Sequence, residues 1–190
     1  DFNRISTRMN VDAQVNDWIR AGTNMQATRR QYYGEVGFWE GAGVSQNVLT
    51  SSPFLKPYDE EGNFMIDYFG GVPADNPLAV ALGPINDLRR DNYMVNLFTE
   101  LEPVRNLKLK ISFGVDKIDR RHGNVFDSRT ILGQNRDGYA RLSNYAQTSI
   151  LQENTLSYYK SFSFMEINLL AGYSWQKYDY EELYMTTDSY

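Results

Sequence analysis

The sequence predicts an all-β fold: an antiparallel, up-and-down segment of a transmembrane β-barrel, about six strands of a larger, roughly 22-strand barrel. Three observations predict it. Apolar and polar residues alternate with period two over long stretches. The connections between these stretches are by turns short and long. Aromatic residues make up 14% of the chain, rich for a soluble domain, and gather near the strand ends.

The first strand runs from about Ile5 to Val15. Ile5, Thr7, Met9, Val11, Ala13 and Val15 share one face, and Ser6, Arg8, Asn10, Asp12 and Gln14 share the other. The second, Ile19 to Ala27, repeats the pattern. Opposed residues of a hairpin must point the same way. A three-residue turn, Asn16-Asp17-Trp18, satisfies this by pairing Val15 with Ile19, Ala13 with Ala21, Val11 with Thr23 and Met9 with Met25. The third and fourth strands are Tyr93–Leu101 and Leu107–Val115. A turn over Glu102–Asn106 pairs Leu101 with Leu107, Thr99 with Leu109, Leu97 with Ile111 and Val95 with Phe113. The fifth and sixth, Ser149–Tyr159 and Ile167–Trp175, are less clean. Gln152 and Asn154 interrupt the apolar face of Ile150, Leu156 and Tyr158, so two registers stay open.

The expected organisation is therefore three hairpins, near 2–30, 91–117 and 147–177, with long loops at 31–90 and 117–147. Strands of about ten residues suit a tilted bilayer crossing. On this reading Val11, Met25, Leu97, Leu109, Ile111, Phe113 and Leu169 face lipid, and the charged faces line a wet or plugged lumen. Tyr32, Tyr33, Tyr93, Tyr158, Tyr159, Phe162, Phe164, Trp175, Tyr178 and Tyr180 are expected to form interfacial girdles.

No apolar run reaches the length of a membrane helix. The net charge of −5 argues against a nucleic-acid partner. There is no Cys, and His122, the single histidine, sits in a polar stretch expected to be loop. Neither a zinc site nor a catalytic set can be assembled, so no cofactor, metal or catalytic residue is expected. The carboxylates of Asp59-Glu60-Glu61-Gly62-Asn63 lack the ligand spacing of a calcium loop. A tight turn with Gly62 at positive φ explains them better. The chain starts at Asp1 without a leader pattern and ends in loop-like sequence, Tyr178–Tyr190, so an internal piece of a longer protein is expected.

The 31–90 insertion is too long for a passive connector. A short helix is expected over Val36–Thr50. Tyr32, Tyr33, Phe38, Trp39, Tyr58, Tyr68 and Phe69 are the candidate substrate-binding aromatics, each able to offer a flat face to a sugar ring or peptide, or to pack the loop against itself. A soluble sandwich alternates too. The alternative reading is therefore a soluble all-β carbohydrate-binding module.

Five stretches, in order, resemble one family. They are Asn3–Asp12 with Asp17–Gly22; Pro57–Phe64 with Asn76-Pro77-Leu78-Ala79; Leu107–Lys110; Glu153–Tyr158; and Ile167–Gln176. Together they resemble SusC/RagA-like TonB-dependent outer-membrane transporters. Met165 stands where that family often has a histidine. The resemblance implies a plugged barrel in the outer membrane that imports oligosaccharides or peptides without enzymatic chemistry. It also implies a SusD-like surface lipoprotein closing over the mouth, and the TonB complex driving transport through a plug domain that this stretch does not contain. The short turns near Asp17, Val104 and Ser161 would be periplasmic and the long loops extracellular.

Overall fold

A computed structural model describes residues 1–34, 43–69 and 72–189. Its frame is one six-stranded antiparallel sheet in the order β1-β2-β5-β6-β7-β8. The strands are β1 (Phe2–Asn16), β2 (Ile19–Tyr33), β5 (Ile85–Val104), β6 (Leu107–Phe126), β7 (Tyr139–Ser161) and β8 (Glu166–Asp188). The insertion after β2 carries α1 (Val44–Thr50), a small hairpin of β3 (Asp67–Phe69) and β4 (Val72–Ala74), and α2 (Pro77–Leu82). A short helix, α3 (Ile131–Gln134), lies between β6 and β7. Every main-sheet strand pairs with its sequence neighbour in that sheet, which is the up-and-down order expected.

No second sheet packs against this one among the described residues; the remaining sheet is the two-stranded β3–β4 pair. The sandwich reading therefore fails, because a sandwich needs two apolar faces closed on each other. Large apolar side chains instead stand open on the sheet: Leu97 is 47% exposed, Phe113 42% and Leu169 59%.

Two sequence expectations about turns are corrected and one open register is settled. In the first hairpin Met9, Val11 and Ala13 do pair with Met25, Thr23 and Ala21, but a bulge then lets Asn16 oppose Ile19. Asn16 Oδ1 drives this by accepting from the Trp18 and Ile19 N–H groups at 3.0 and 2.9 Å. The bulge absorbs one residue, so the faces stay in phase. In the second hairpin the register is slipped by two: Leu101 opposes Leu109, Thr99 opposes Ile111, Leu97 opposes Phe113 and Val95 opposes Val115. The turn tightens to Arg105-Asn106, with Asn106 at φ 70° and its N–H donating to Glu102 Oε1 at 3.0 Å. A slip of two leaves every side chain on its original face. In the third hairpin Tyr158 opposes Leu169 and Asn154 opposes Tyr173, which settles the open register.

The strands also outrun their predicted ends. Residues 85–90, 117–126, 139–147 and 178–188, expected as loop, are strand. His122 accordingly lies in β6 rather than in a loop, with Nε2 2.8 Å from Asn86 Oδ1. The connection from β6 to β7 shrinks to residues 127–138. Where both faces turn polar, alternation vanishes from the sequence while the backbone ladder continues. The expected helix over Val36–Thr50 is found at Val44–Thr50; residues 36–42 lie outside the described residues, which resume at 43.

Among the described residues, the buried apolar side chains are in the loops and at one strand end. They are Ala79 and Val80 of α2 and Phe126 at the end of β6, joined by buried Thr130, Asp75 and Asn76. Asn76 caps α2 by accepting from the Leu78 N–H at 2.9 Å, and its amide donates to the Pro57 carbonyl at 2.7 Å. Pro77 suits the first helical turn, where no N–H is needed. Asp75 Oδ1 accepts from the Ile131 N–H at 2.6 Å, tying the first insertion to α3. Burial pushes the Asp75 carboxyl above the ordinary carboxylate range, and the Ile131 N–H pulls it part of the way back.

The sign of that shift gives a test. The folded clamp holds its proton more tightly than the open chain does. Its stability is therefore greatest below the ordinary aspartate pKa and falls as pH rises through the raised value. Hydrogen exchange at the Ile131 amide should be slower at acid pH than the intrinsic rate change explains. Asp75→Asn keeps an acceptor and should hold that protection without the pH dependence. Asp75→Leu strands a buried N–H and should cost about 1–3 kcal/mol locally.

Candidate functional site

Register assigns every strand residue to one of two faces. On the first, successive cross-strand rows read Ile19–Leu101–Leu109–Leu156–Ala171, Ala21–Thr99–Ile111–Asn154–Tyr173, Val11–Thr23–Leu97–Phe113–Gln152–Trp175 and Met9–Met25–Val95–Val115–Ile150–Lys177. All seven residues expected to face lipid lie on this face, Val11, Met25, Leu97, Leu109, Ile111, Phe113 and Leu169. Gln152 and Asn154 interrupt it on β7, as their spacing required. The band is bounded near Leu107 below and near Lys117 above. At ~3.3 Å per residue and a tilt of ~40°, that is roughly 25 Å of height, the thickness of an outer-membrane apolar belt.

Above the band the same face becomes charged. Asp91, only 8% exposed, receives Arg29 Nε at 2.7 Å and Arg89 Nη2 at 2.9 Å. Lys117 and Lys177 pair with Asp119 and Asp179 at 3.4 and 2.7 Å. The shift from oily to ionic within two rows marks the top of the membrane band.

The opposite face is mainly polar, with Met94, Phe98, Ile118 and Leu151 among its charged and amide side chains. Near the short turns Arg20 bridges Asp12 at 3.1 Å and Glu100 at 3.5 Å, and Lys110 reaches Glu100 at 3.6 Å. Phe98 sits among them, with Arg20 and Lys110 5.7 and 5.2 Å from its ring centre. Higher up, the register builds a row that sequence reading missed: Arg4 opposes Arg30, Arg30 opposes Arg90 and Arg90 opposes Arg120. Tyr145 and Glu182 complete it on β7 and β8. Tyr178, Tyr180 and Tyr184 stand beside it on β8, 59%, 77% and 53% exposed.

The predicted aromatics are not brought together as one loop cluster. Tyr32 and Tyr33 belong to β2 and, as strand neighbours, point to opposite faces. Tyr58 packs on Phe64, ring centres 5.2 Å apart, so it holds the turn together. Phe38 and Trp39 lie outside the described residues. Tyr68 and Phe69 are in β3, opposite Pro73 and Val72. Girdle membership is corrected as well. Tyr93, on the apolar face near the upper edge of the band, lies where a girdle residue is expected, whereas Trp175 lies within the band itself. Tyr178 and Tyr180 lie on the polar face, because the strand continues through them with even parity. Asp59 serves its own turn: Oδ1 accepts from the Glu61 and Asn63 N–H groups at 2.9 and 2.8 Å, and Gly62 has φ +88°. Those bonds hold its carboxyl below the ordinary range, the Asn63 N–H most of all.

A bare sheet, oily over a bilayer's thickness on one face and polar on the other, is the wall of a transmembrane β-barrel. Known proteins share this wall. The chain is 28% identical over 182 residues to TonB-dependent receptor P3 of Formosa agariphila, covering 93% of the chain and 18% of that protein. It is 26% identical over 183 residues to TonB-dependent receptor P39 of the same organism, covering 95% of the chain and 17% of that protein. Among solved structures, the RagAB peptide transporter superposes with a TM-score of 0.71 over 100% of the chain and 22% of that chain, at 21% identity. The open-open state of the RagAB peptide importer gives 0.72 over 97% of the chain and 21% of that chain, at 22% identity. No family model matches the chain. The chain is similar to a barrel segment of TonB-dependent receptors and shares the fold of the RagAB barrel wall, and it spans about a fifth of the length of the proteins it matches.

The two faces make opposite predictions for substitution. In the complete barrel, Ile111→Arg near the midplane should cost about 2–4 kcal/mol. Lys110→Leu, one residue away on the polar face, should cost no more than about 1 kcal/mol through its exposed ion pair with Glu100. Urea unfolding of the barrel in lipid vesicles measures both, and equal costs would contradict the face assignment.

Proposed function

We propose that the chain is part of an outer-membrane importer of oligosaccharides or peptides. The observation that carries the reading is the division of one sheet into an apolar band of membrane height and a charged opposite face. On this reading the apolar face meets lipid and the charged face lines the passage. The short turns at Asp17-Trp18, Arg105-Asn106 and Phe162–Met165 are periplasmic. The helix-bearing insertions and the strand extensions reach outward to the extracellular side. The organisation proposed is a partial barrel domain with its plug elsewhere in the whole protein.

Function is binding and gated passage, not bond chemistry. The partners are a SusD-like surface lipoprotein at the mouth and the TonB complex at the plug. The clamp of Asp75 on α3 supports this, since it fixes the first long insertion to the rim and offers a lid protein a shaped surface. The names of the relatives support the TonB-dependent part, and the likeness to the RagAB peptide transporter supports import.

Deleting the whole gene should abolish growth on the substrate polymer while leaving growth on its monomer unchanged. A collapse of the inner-membrane proton gradient should stop uptake of labelled oligomer without preventing its binding to cells. Uptake that survives either treatment would refute an energised importer.

A further inference from the structure

Three pairs of directly opposed arginines in one row are an unusual thing for a sheet to hold. Like charges directly opposite one another destabilise the pairing. The row here spans four strands, Arg4, Arg30, Arg90 and Arg120, at the strand spacing of about 4.8 Å. Its own neighbours do little to neutralise it. Arg4 Nε donates to Ser6 Oγ at 3.1 Å and Arg90 Nε to Asn92 Oδ1 at 3.0 Å, both uncharged. Among the described residues, Glu182 is the carboxylate within ion-pair reach of the row, 3.8 Å from Arg120 Nη2. On the other face at the adjoining rows the arginines are treated differently, with Arg29 and Arg89 both bonded to Asp91. The contrast locates an uncompensated positive strip on the polar face, just above the level of the apolar band.

Resting on the importer reading above, we infer that this strip is a binding subsite for an acidic oligosaccharide, one bearing carboxylate or sulfate groups along its length. Guanidinium forks are donors without acceptors, and they match the paired oxygens of planar or tetrahedral oxyanions. The strip runs obliquely along the wall because the strands tilt, and it gives one fork per strand. A column of tyrosines stands at its end: Tyr180 one step below Glu182 and Tyr184 one step above, on the same face. Arg141 lies 5.2 Å from the Tyr184 ring centre, which extends the positive charge around the column. Flat rings beside oxyanion forks suit sugar rings that carry acid groups. An extended acidic peptide suits the strip less well. Its backbone N–H groups need acceptors that the arginines lack, and β2, β5, β6 and β7 are paired on both sides and leave no edge for strand addition.

The test uses the full-length receptor in detergent. Its probes are galacturonate, alginate and sulfated galactan oligomers, neutral amylose and xylan oligomers, and oligoglutamate. Calorimetry should find the tightest ligand among the acidic glycans, with affinity falling steeply as salt rises. The Arg30→Gln/Arg90→Gln double variant should lose at least tenfold for that ligand. Arg30→Lys/Arg90→Lys should lie between, because charge remains and the fork is gone. Barrel integrity is checked by heat-modifiable migration, and removing like charges should leave it intact or improved. The inference fails if the tightest ligand is neutral or is oligoglutamate, if no probe binds, or if the glutamine variant binds as the parent does. It also fails if the variant destabilises the barrel. Uptake separates this from the importer reading. A receptor that imports a neutral oligomer sinks the subsite alone, whereas a receptor whose deletion alters no uptake sinks both.

Discussion

Parity holds this structure together. Every backbone N–H and C=O inside a membrane must find a partner, and a sheet provides this by running its ladder unbroken from strand to strand. Once the ladder is continuous, each residue's face is decided by whether it is odd or even relative to its neighbour. A single unmatched residue anywhere would turn a strand's oily side toward water. The two irregularities in the main sheet both sit at short turns, and both preserve the count. One is a bulge that absorbs Val15, the other a bulge on β5 that absorbs one residue between Leu101 and Val104.

This explains what the sequence showed and what it hid. Face assignment was legible because period-two alternation reports it directly, and Leu97, Ile111 and Phe113 all fell where alternation put them. The register of the second hairpin was not legible, since a slip of two produces the same pattern of faces. Strand length was hidden for a different reason. Above Lys117 the outer face carries Asp119 and Arg121, so both faces are polar and the periodic signal disappears while hydrogen bonding goes on. The arginine row was invisible in principle. Its members are far apart in the chain, and only the register of three separate pairings sets them side by side.

Two kinds of stability are divided between the parts. The sheet has little interior of its own and depends on its solvent on either side. The insertions behave as small globular units instead, with Ala79, Val80 and Phe126 buried and capped helices around them. The Asp75–Ile131 bond joins the two insertions. Substitutions on the wall and in the insertions should therefore be felt in different assays, the former in membrane insertion and the latter in the order of the rim.

The strands β5 to β8 are far longer than a bilayer requires; β7 and β8 each have 23 residues. Their upper parts therefore form a stiff collar standing off the membrane surface. On the importer reading proposed above, a polymer chain entering that collar would be confined by rigid walls before it reaches the level of the lipid. Much of its orientational freedom is lost at the entrance, where solvent and a long grip on the chain are still available, and little remains to be lost at the narrow part. On the same reading, the collar sets how far from the lipid a covering partner would seat.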